Sequence, residues 1–161
     1  MTFYSGQNGR MQLRTSAANV TPEVFTTLGK VTNWSISSQM SPLATTTLED
    51  TDQTFVSGVR TTTGNCRLFY YNDTAQTPTV NSAKTMINKL IKARTAGADP
   101  GVADEPDVVV LKLEVVDGTT SAGLIQVEAL ITEVQMAMAV GEVLAADISF
   151  QCNGAPVSVT I

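Results

Sequence analysis

The stretch Thr45–Gly64, TTTLEDTDQTFVSGVRTTTG, decides how the rest of the chain is interpreted. Its first half is polar and acidic, whereas from Phe55 onwards it becomes a short β-prone run that ends at a glycine turn signal. Upstream lies a second strand candidate, Val31–Ser37, which contains the only tryptophan. Connections longer than about a dozen residues without structure of their own are uncommon in compact domains and are usually functional or disordered. We therefore predict a long extended arm, approximately residues 41–53, that reaches outward from two strands.

Length and composition favour one folded, mainly β domain covering residues 1–161. A chain of 161 residues with 43% hydrophobic residues can bury a sizeable core. Threonine and valine are abundant and aromatic residues are few, which suits strands built from β-branched side chains. The formal net charge of −5 argues against a DNA-binding domain of the usual kind, which needs a basic face to neutralise phosphates.

The residue inventory excludes most catalytic and metal chemistry. Histidine is absent, which removes the commonest general base, the commonest metal ligand and every Ser-His or Cys-His pair. Cys66 and Cys152 form no metal-binding motif, and we interpret them as small buried hydrophobic residues, with a disulfide between them as the alternative. The acids of the arm have no readable partner that would make them an acid–base site. We predict no enzyme activity, no catalytic or metal-binding residue and no cofactor.

No segment is typical of membrane insertion or export. The longest mostly apolar stretch, 122–140, is interrupted by charged and amide side chains, and the N-terminus has neither a basic start nor an apolar run. We expect no membrane partner.

Alternation and turn residues predict strands along most of the chain. Leu28–Met40 is the clearest early case, because Trp34, Ile36 and Met40 share one face and uncharged polar residues the other. A Thr21-Pro22-Glu23 signal indicates a turn or a helix start. The other strands are predicted at Gln7–Leu13, Phe55–Thr63, Asn65–Tyr71 and Asp107–Asp117.

One helix is predicted over residues 79–96, from its apolar spacing and the glycine that follows. Its other side is basic, with Lys84, Lys89 and Lys92. These lysines form either a solvated face favoured by the helix dipole or a contact with an acidic surface on a neighbouring subunit. The acidic segment 98–107 offers such a surface, and its spacing lacks the ligand order of an EF-hand calcium loop.

Residues 122–140 allow two interpretations. As a helix, the segment has a fair apolar stripe and good helix formers. As a strand, its apolar face switches sides near Thr132-Glu133, which requires a bulge or a break there. We predict two strand halves joined by a bulge.

The C-terminus predicts a β-hairpin. Residues 144–152 and 155–161 both alternate, and Asn153-Gly154 between them is a strong two-residue turn signal. Pairing through this turn sets Phe150 opposite Val157 and Ile148 opposite Val159, so the two apolar faces coincide. The same alternation directs Asp147, Ser149 and Gln151 away from the core.

The run GKVTNWSIS, residues 29–37, followed by TTTLEDTDQTFVSGVRTTTG resembles the major tail protein, or tail tube protein, of long-tailed bacteriophages. The resemblance covers Gly29–Gly64, about a fifth of the chain, and continues elsewhere only as the order of elements. It implies a β-sandwich or barrel of two packed antiparallel sheets, with one flanking helix and an extended arm.

The resemblance also implies a function in self-assembly. Subunits of that family form stacked rings, usually hexameric, that conduct DNA during ejection and meet a tape measure protein and tail-end proteins. The implied location is the virion tail, after synthesis in the host cytoplasm. On this interpretation the arm contacts the next ring through Leu43, Thr47, Leu48, Glu49, Asp50, Thr51 and Asp52. Glu133, Asp147, Ser149 and Gln151 are candidates for the lumen, although alternation alone does not distinguish the lumen from the outer surface.

A second hypothesis is a monomeric β-barrel carrier. Trp34, Phe69 and the methionines would then line a cavity for a small apolar ligand. Such residues on strands are more often part of a packed core, and the oligomeric state distinguishes the two hypotheses.

Overall fold

A computed structural model describes residues 9–14, 21–28, 31–47, 51–69, 82–91, 108–117 and 120–160. The strands are β1 (Gly9–Arg14), β2 (Phe25–Thr27), β3 (Val31–Met40), β4 (Leu43–Ala44), β5 (Phe55–Val56), β6 (Arg60–Phe69), β7 (Val108–Asp117), β8 (Thr120–Ala137), β9 (Ala145–Cys152) and β10 (Ser158–Thr160). One helix, α1 (Ser82–Leu90), precedes β7. The mainly β class with a single helix is confirmed.

The principal sheet is antiparallel throughout and has the strand order β2-β1-β7-β8-β9-β6-β3. It folds over a single core, because β1 also contacts β3 and the Leu28 amide donates to the Met11 carbonyl at 2.8 Å. Both halves of the sheet contribute to one apolar cluster, and α1 adds two buried side chains from the side of β8. The largest fully buried members are Met11, Leu68, Met86, Leu111, Leu113, Ile148 and Phe150.

The strand interpretation of 122–140 is confirmed, with its bulge. β8 is continuous over 18 residues, and its register with β9 shifts between Ile131 and Glu133. The extra residue is the one at which the apolar pattern changes phase, since Ile131 and Val134 both face the core. Val108–Asp117 likewise agrees with the predicted strand, with Val109, Leu111 and Leu113 buried.

The predicted break at Gly64 is wrong. β6 runs through this glycine, which is paired with Ile36 of β3 and with Phe150 of β9. A Cβ atom at this position would lie 2.4 Å from the Phe150 ring and 2.6 Å from the Ser35 carbonyl oxygen. The glycine therefore marks a close approach inside the sheet, which is the other common use of glycine in a strand.

The predicted C-terminal hairpin is also wrong. β10 pairs with β8, with Ser158 opposite Gln126 and Thr160 opposite Leu124. Both edges of β9 are already occupied by β6 and β8, so no edge remains for a following strand. The chain instead continues along the same edge of β8: the Asn153 amide donates to the Glu128 carbonyl, and Gly154 takes the positive φ of the intervening loop.

Smaller differences concern the ends of elements. The first strand is Gly9–Arg14, and Thr21-Pro22 precedes strand β2, in agreement with the turn interpretation. Residues 70–71 and the helical extension at 79–81 and 92–96 lie outside the described residues. Met40 was expected on a buried face, yet it is half-exposed because β3 leaves the core there and continues into the arm.

Among the described residues, one charged side chain is buried outside the core, on the opposite face of β7. Glu114 is 1% exposed and accepts a hydrogen bond at 2.8 Å from Arg10 Nε, and it also forms an ion pair with Lys112. Burial raises the pKa of the Glu114 carboxyl, but the hydrogen bonds and charges of Lys112 and Arg10 outweigh it and hold the pKa below its usual value. Lys112 lies over the Phe25 ring, 5.5 Å from its centroid, and thereby connects β7 with β2.

Candidate assembly surfaces

Strands β8, β9, β6 and β3 carry a polar face that points away from the core. On β9, Ile148 and Phe150 are buried, whereas Asp147 and Gln151 are exposed and Ser149 is half-buried. Directly opposed residues on antiparallel strands share a face, so the register identifies the neighbours of these side chains. Asp147 is opposed by Arg67 and Gln135, and Ser149 by Asn65 and Glu133.

The polar face is wider than the residues proposed from the sequence, because it continues across β6 onto β3. Arg67, Asn65 and Thr63 are opposed by Asn33, Ser35 and Ser37. We call the polar face the set Asn33, Ser35, Ser37, Gln39, Thr61, Thr63, Asn65, Arg67, Glu133, Gln135, Asp147, Ser149 and Gln151. Its charges are one arginine and two carboxylates, and the remaining members are hydroxyls and amides.

The one ion pair of the polar face among the described residues is weak. Arg67 Nε lies 3.8 Å from Asp147 Oδ1, and both side chains are half-exposed. Exposed pairs of this kind contribute about 0–1 kcal/mol to stability. The face is therefore held by the strands that carry it, and its side chains are available to the surroundings.

The strands of the polar face also have two open edges. β3 pairs with β6 along one side, and no strand in the described part of the chain pairs with its other side. β7 pairs with β8 only as far as Leu130, whereas β9 pairs with β8 up to Ala137. Beyond the bulge, the side of β8 that faces away from β9 is thus without a strand partner among the described residues.

The arm is a narrow hairpin that extends β3 and β6. The Ser41 amide donates to the Val59 carbonyl at 3.2 Å, Leu43 is paired with Val56, and the Thr45 amide donates to the Thr54 carbonyl at 2.9 Å. Phe55–Val56, expected at the start of a core strand, therefore belongs to the arm. A Cβ atom at position 58 would lie 2.0 Å from the Ser41 carbonyl oxygen. The glycine lacks this atom and therefore lets the two strands of the hairpin approach closely.

The arm exposes apolar side chains at its base and polar ones farther out. Thr47, Thr51 and Asp52 are exposed, and Leu48, Glu49 and Asp50 lie outside the described residues. We call the arm base the exposed apolar set Met40, Leu43, Phe55, Val56 and Val59. The sequence analysis placed Phe55, Val56 and Val59 in a strand after the arm, and not in the arm itself.

The basic candidates of the helix are only partly described. Lys89 is half-buried in the last turn of α1, where the helix dipole favours a cation. Lys84 belongs to α1, whereas Lys92 and the acidic segment 98–107 lie outside the described residues.

The described residues offer little for chemistry. No group of three or more His, Cys, Asp or Glu side chains among them is arranged to hold a metal ion. Cys66 and Cys152 are not bonded to each other, and burial, followed by the nearby Asp147 charge, raises the pKa of the Cys66 thiol to about 12. In the same part of the chain, no helix has the length and apolar character needed to cross a membrane.

Comparison with known proteins gives matches in structure alone. No protein-family model matches the chain, and no curated protein sequence matches it. The tail of an empty GTA particle, refined with C6 symmetry, is similar to it with a TM-score of 0.66 and 16% identity, over 98% of both chains. The SPP1 tail tube is similar with a TM-score of 0.62 and 11% identity, over 94% of this chain and 76% of that one.

A third match extends beyond phage tails. The sheath–tube complex of an extracellular contractile injection system contains a chain with a TM-score of 0.55 and 9% identity, over 94% of this chain and 88% of that one. Identities this low report on the fold, and the coverage shows that the likeness extends over nearly the whole chain. The chain therefore has the fold of tail tube proteins from phages and phage-like particles.

Proposed function

We propose that this protein is the structural subunit of a bacteriophage tail tube, and that it assembles into stacked hexameric rings whose lumen conducts DNA during ejection. The observation that carries the proposal is the pair of open edges on either side of the polar face. The fold of tail tube proteins supports it, as does the C6 symmetry of the similar GTA tail.

In this proposal, a ring closes by pairing β3 of one subunit with β8 of the next. Strand directions alternate across β8, β9, β6 and β3, so β8 and β3 run in opposite directions. When identical subunits follow one another around a ring, β3 then meets the next β8 in antiparallel orientation. The principal sheets join into a continuous inner barrel with no irregular junction.

The polar face would line the lumen of this barrel. DNA-binding surfaces gain affinity by neutralising phosphates with Lys and Arg, and each such contact releases counterions. The polar face has one arginine, already beside Asp147, among hydroxyls, amides and a second carboxylate. A surface of this kind hydrates well and does not hold phosphates, so double-stranded DNA passes without specific binding.

The arm, residues 41–53 together with its base, would contact the adjacent ring. We propose Leu48 as an anchor, with Glu49, Asp50 and Asp52 paired to bases on the neighbour such as Lys89 or Lys92. Deleting residues 43–50 then leaves a folded subunit with unchanged circular dichroism that no longer elongates. High salt weakens elongation if the charged pairs contribute, because exposed charges are screened over about 10 Å at 0.1 M.

The partners of the proposed tube are other copies of the chain and, by resemblance, a tape measure protein and tail-end proteins. The protein acts as a virion component and not as an enzyme, with no cofactor. The carrier hypothesis gains no support from the described residues, since Met11 and Met86 are packed into the core and Trp34 lies against it.

Hydrogen–deuterium exchange during assembly tests the ring contact. We expect rings or tubes by electron microscopy, and slower exchange of alternate β3 amides in the assembly than in the free subunit. β7 is the matched control, because it is paired on both sides within the subunit and should be protected in both states. A protein that stays monomeric at high concentration contradicts the function, and assemblies without new protection in β3 contradict the edge pairing.

A further inference from the structure

The turn between β8 and β9 forms an exposed apolar surface. None of the assembly residues predicted from the sequence lies in it. We call the tip the residues Met136, Met138, Val140 and Val143, all exposed, with Met138 at 76% and Val140 completely accessible. The turn is ordered by a hydrogen bond from the Glu142 amide to the Ala139 carbonyl at 3.1 Å and by the positive φ of Gly141. Glu142 is the only charged residue between residues 136 and 145.

The tip and the arm base lie at opposite ends of the same strands. β3 and β6 are paired from Val31 opposite Leu68 to Met40 opposite Arg60, and the arm follows the second pair. The tip surrounds the end of the β8–β9 pair, where Ala137 is opposite Ala145 and Ala145 is paired with Phe69. Arg60–Phe69 spans ten residues, so the two surfaces are separated by about 30 Å along the strands.

We propose that the tip of one copy contacts the arm base of a second copy in the adjacent ring. This proposal names the partner surface of the axial contact, and it rests on the proposed tube function. Both surfaces are apolar and exposed in the single subunit, with Val59 at 79%. A head-to-tail contact buries the tip of one copy against the arm base of the other. The second tip and the second arm base stay exposed at the two ends of the pair. Such a contact does not close, so it propagates along the strand direction, as a tube requires.

The polar parts of the two surfaces are consistent with this arrangement. The arm base contains no charged residue, whereas the acids of the arm lie beyond Thr47, where they would pass the tip and reach the helix side of the neighbour. The charge beside the arm base, Arg60 opposite Met40, is opposite in sign to Glu142 in the turn of the tip, so the contact brings no like charges together. Contiguous exposed apolar surface of this kind usually marks an interaction site.

Two charge variants separate the two halves of the contact. The tip variant carries Met138→Asp and Val140→Asp, and the arm variant carries Val56→Asp and Val59→Asp. Each should form rings but elongate at least tenfold more slowly than the natural protein, measured by light scattering and electron microscopy. A protein with Val157→Asp and Val159→Asp is the matched control, because it adds the same two charges at exposed apolar residues outside both surfaces and should elongate normally.

Mixing the two variants gives the decisive measurement. Rings of the tip variant retain an intact arm and rings of the arm variant retain an intact tip, so the mixture should yield stacks of two rings and no longer ones. Rings that elongate normally in either variant, or a mixture without two-ring stacks, overturn the proposal. Failure of the natural protein to form rings at all would instead contradict the tube function.

Cross-linking supplies a test that does not depend on the charge variants. A Val56→Cys protein and a Val140→Cys protein are mixed, assembled and treated with a short bifunctional maleimide. We expect a cross-link between residues 56 and 140 of different copies by mass spectrometry. Tubes in which residue 140 is cross-linked only elsewhere overturn the proposal.

Discussion

Gly64 offers a direct test of the way in which β3, β6 and β9 pack. The residue lies in the middle of β6, and replacing it with alanine adds a Cβ atom on the side of Phe150. This atom would lie 2.4 Å from Phe150 Cζ, 2.7 Å from Phe150 Cε2 and 2.6 Å from the Ser35 carbonyl oxygen. Non-bonded carbon atoms prefer separations of about 3.5–4.0 Å, so each of these contacts is too close by about 1 Å.

The collision cannot be relieved by a simple side-chain rotation. Phe150 is 1% exposed and packed in the core, and the second obstacle belongs to the backbone of β3. Overpacking of a well-packed core costs about 1–3 kcal/mol, and two rigid obstacles favour the upper half of that range. For a domain of this size, each kcal/mol lowers the melting temperature by about 2–4 °C. We therefore expect Gly64→Ala to lower it by roughly 4–12 °C.

Gly123→Ala is the matched control for this substitution. Gly123 also lies in a strand, and a Cβ there would be 3.7 Å from its nearest neighbour, the Thr160 carbonyl oxygen, which is an ordinary contact. Loss of glycine freedom in the unfolded chain then makes this substitution neutral or stabilising by about 0.4–1 kcal/mol. Thermal and urea unfolding of the unassembled subunit compares the two variants. Equal stability of Gly64→Ala and Gly123→Ala would refute the reasoning.

A double-mutant cycle identifies which obstacle matters. Phe150→Leu removes the ring atoms that Gly64→Ala would strike, so the two substitutions together should cost less than the sum of the single ones. The coupling should be about 1 kcal/mol, within the range for residues in contact. It should remain incomplete, because the Ser35 carbonyl stays in place. Additive effects would mean that the added methyl group does not meet the ring.

The remaining predictions concern charge and thiol chemistry. Asp147→Lys should change the free energy of unfolding by less than about 1 kcal/mol, because the ion pair of Asp147 with Arg67 is exposed. The variant should still form tubes, and phage carrying it should eject DNA slowly. Normal infectivity would argue against a lumen position for Asp147. Glu114→Gln should destabilise the protein by about 1–3 kcal/mol at neutral pH. Since the pKa of Glu114 is lowered in the folded state, its stabilising contribution is present above pH 4.5 and is lost as the pH falls through the folded-state pKa. The difference in urea midpoint between the natural protein and Glu114→Gln should therefore shrink in acid. Cys66 should resist a thiol reagent at pH 8 until unfolding, because its pKa is about 12, and the half-buried Cys152 should react first.

The sequence predicted those parts of the fold that depend on a single strand. Alternation identified the buried face of β7 and the opposite faces of β9, and the phase change at Thr132-Glu133 identified the bulge in β8. Each of these features follows from the two-residue period of a single strand, and that period can be determined from the local sequence alone. The tail-tube fold, by contrast, was implied by the resemblance over residues 29–64 and not by the periodicity of any strand.

Predictions that depend on a third strand failed. Asn153-Gly154 has the chemistry of a hairpin turn, but turn chemistry carries no information on whether the preceding strand has a free edge. Gly64 has the chemistry of a turn as well, and only the position of Phe150 on β9 reveals why the residue lies inside a strand. The tip was missed for a related reason, since the predicted strand ran to residue 140, whereas β8 ends at Ala137 and leaves Met138 and Val140 in the turn.

The character of the β3 edge argues that the subunit is built for pairing with another copy. Monomeric proteins protect edge strands by making them short, by bending them with bulges or by placing charges and proline on them. The opposite edge of the sheet follows this pattern, because β2 has three residues. β3 has ten residues and contains neither a charge nor a proline, and its only irregularity lies at its start, between Val31 and Asn33. Such an edge would promote aggregation if it stayed open, so its length and neutrality are best explained by a partner strand, which the proposed ring supplies from a second copy.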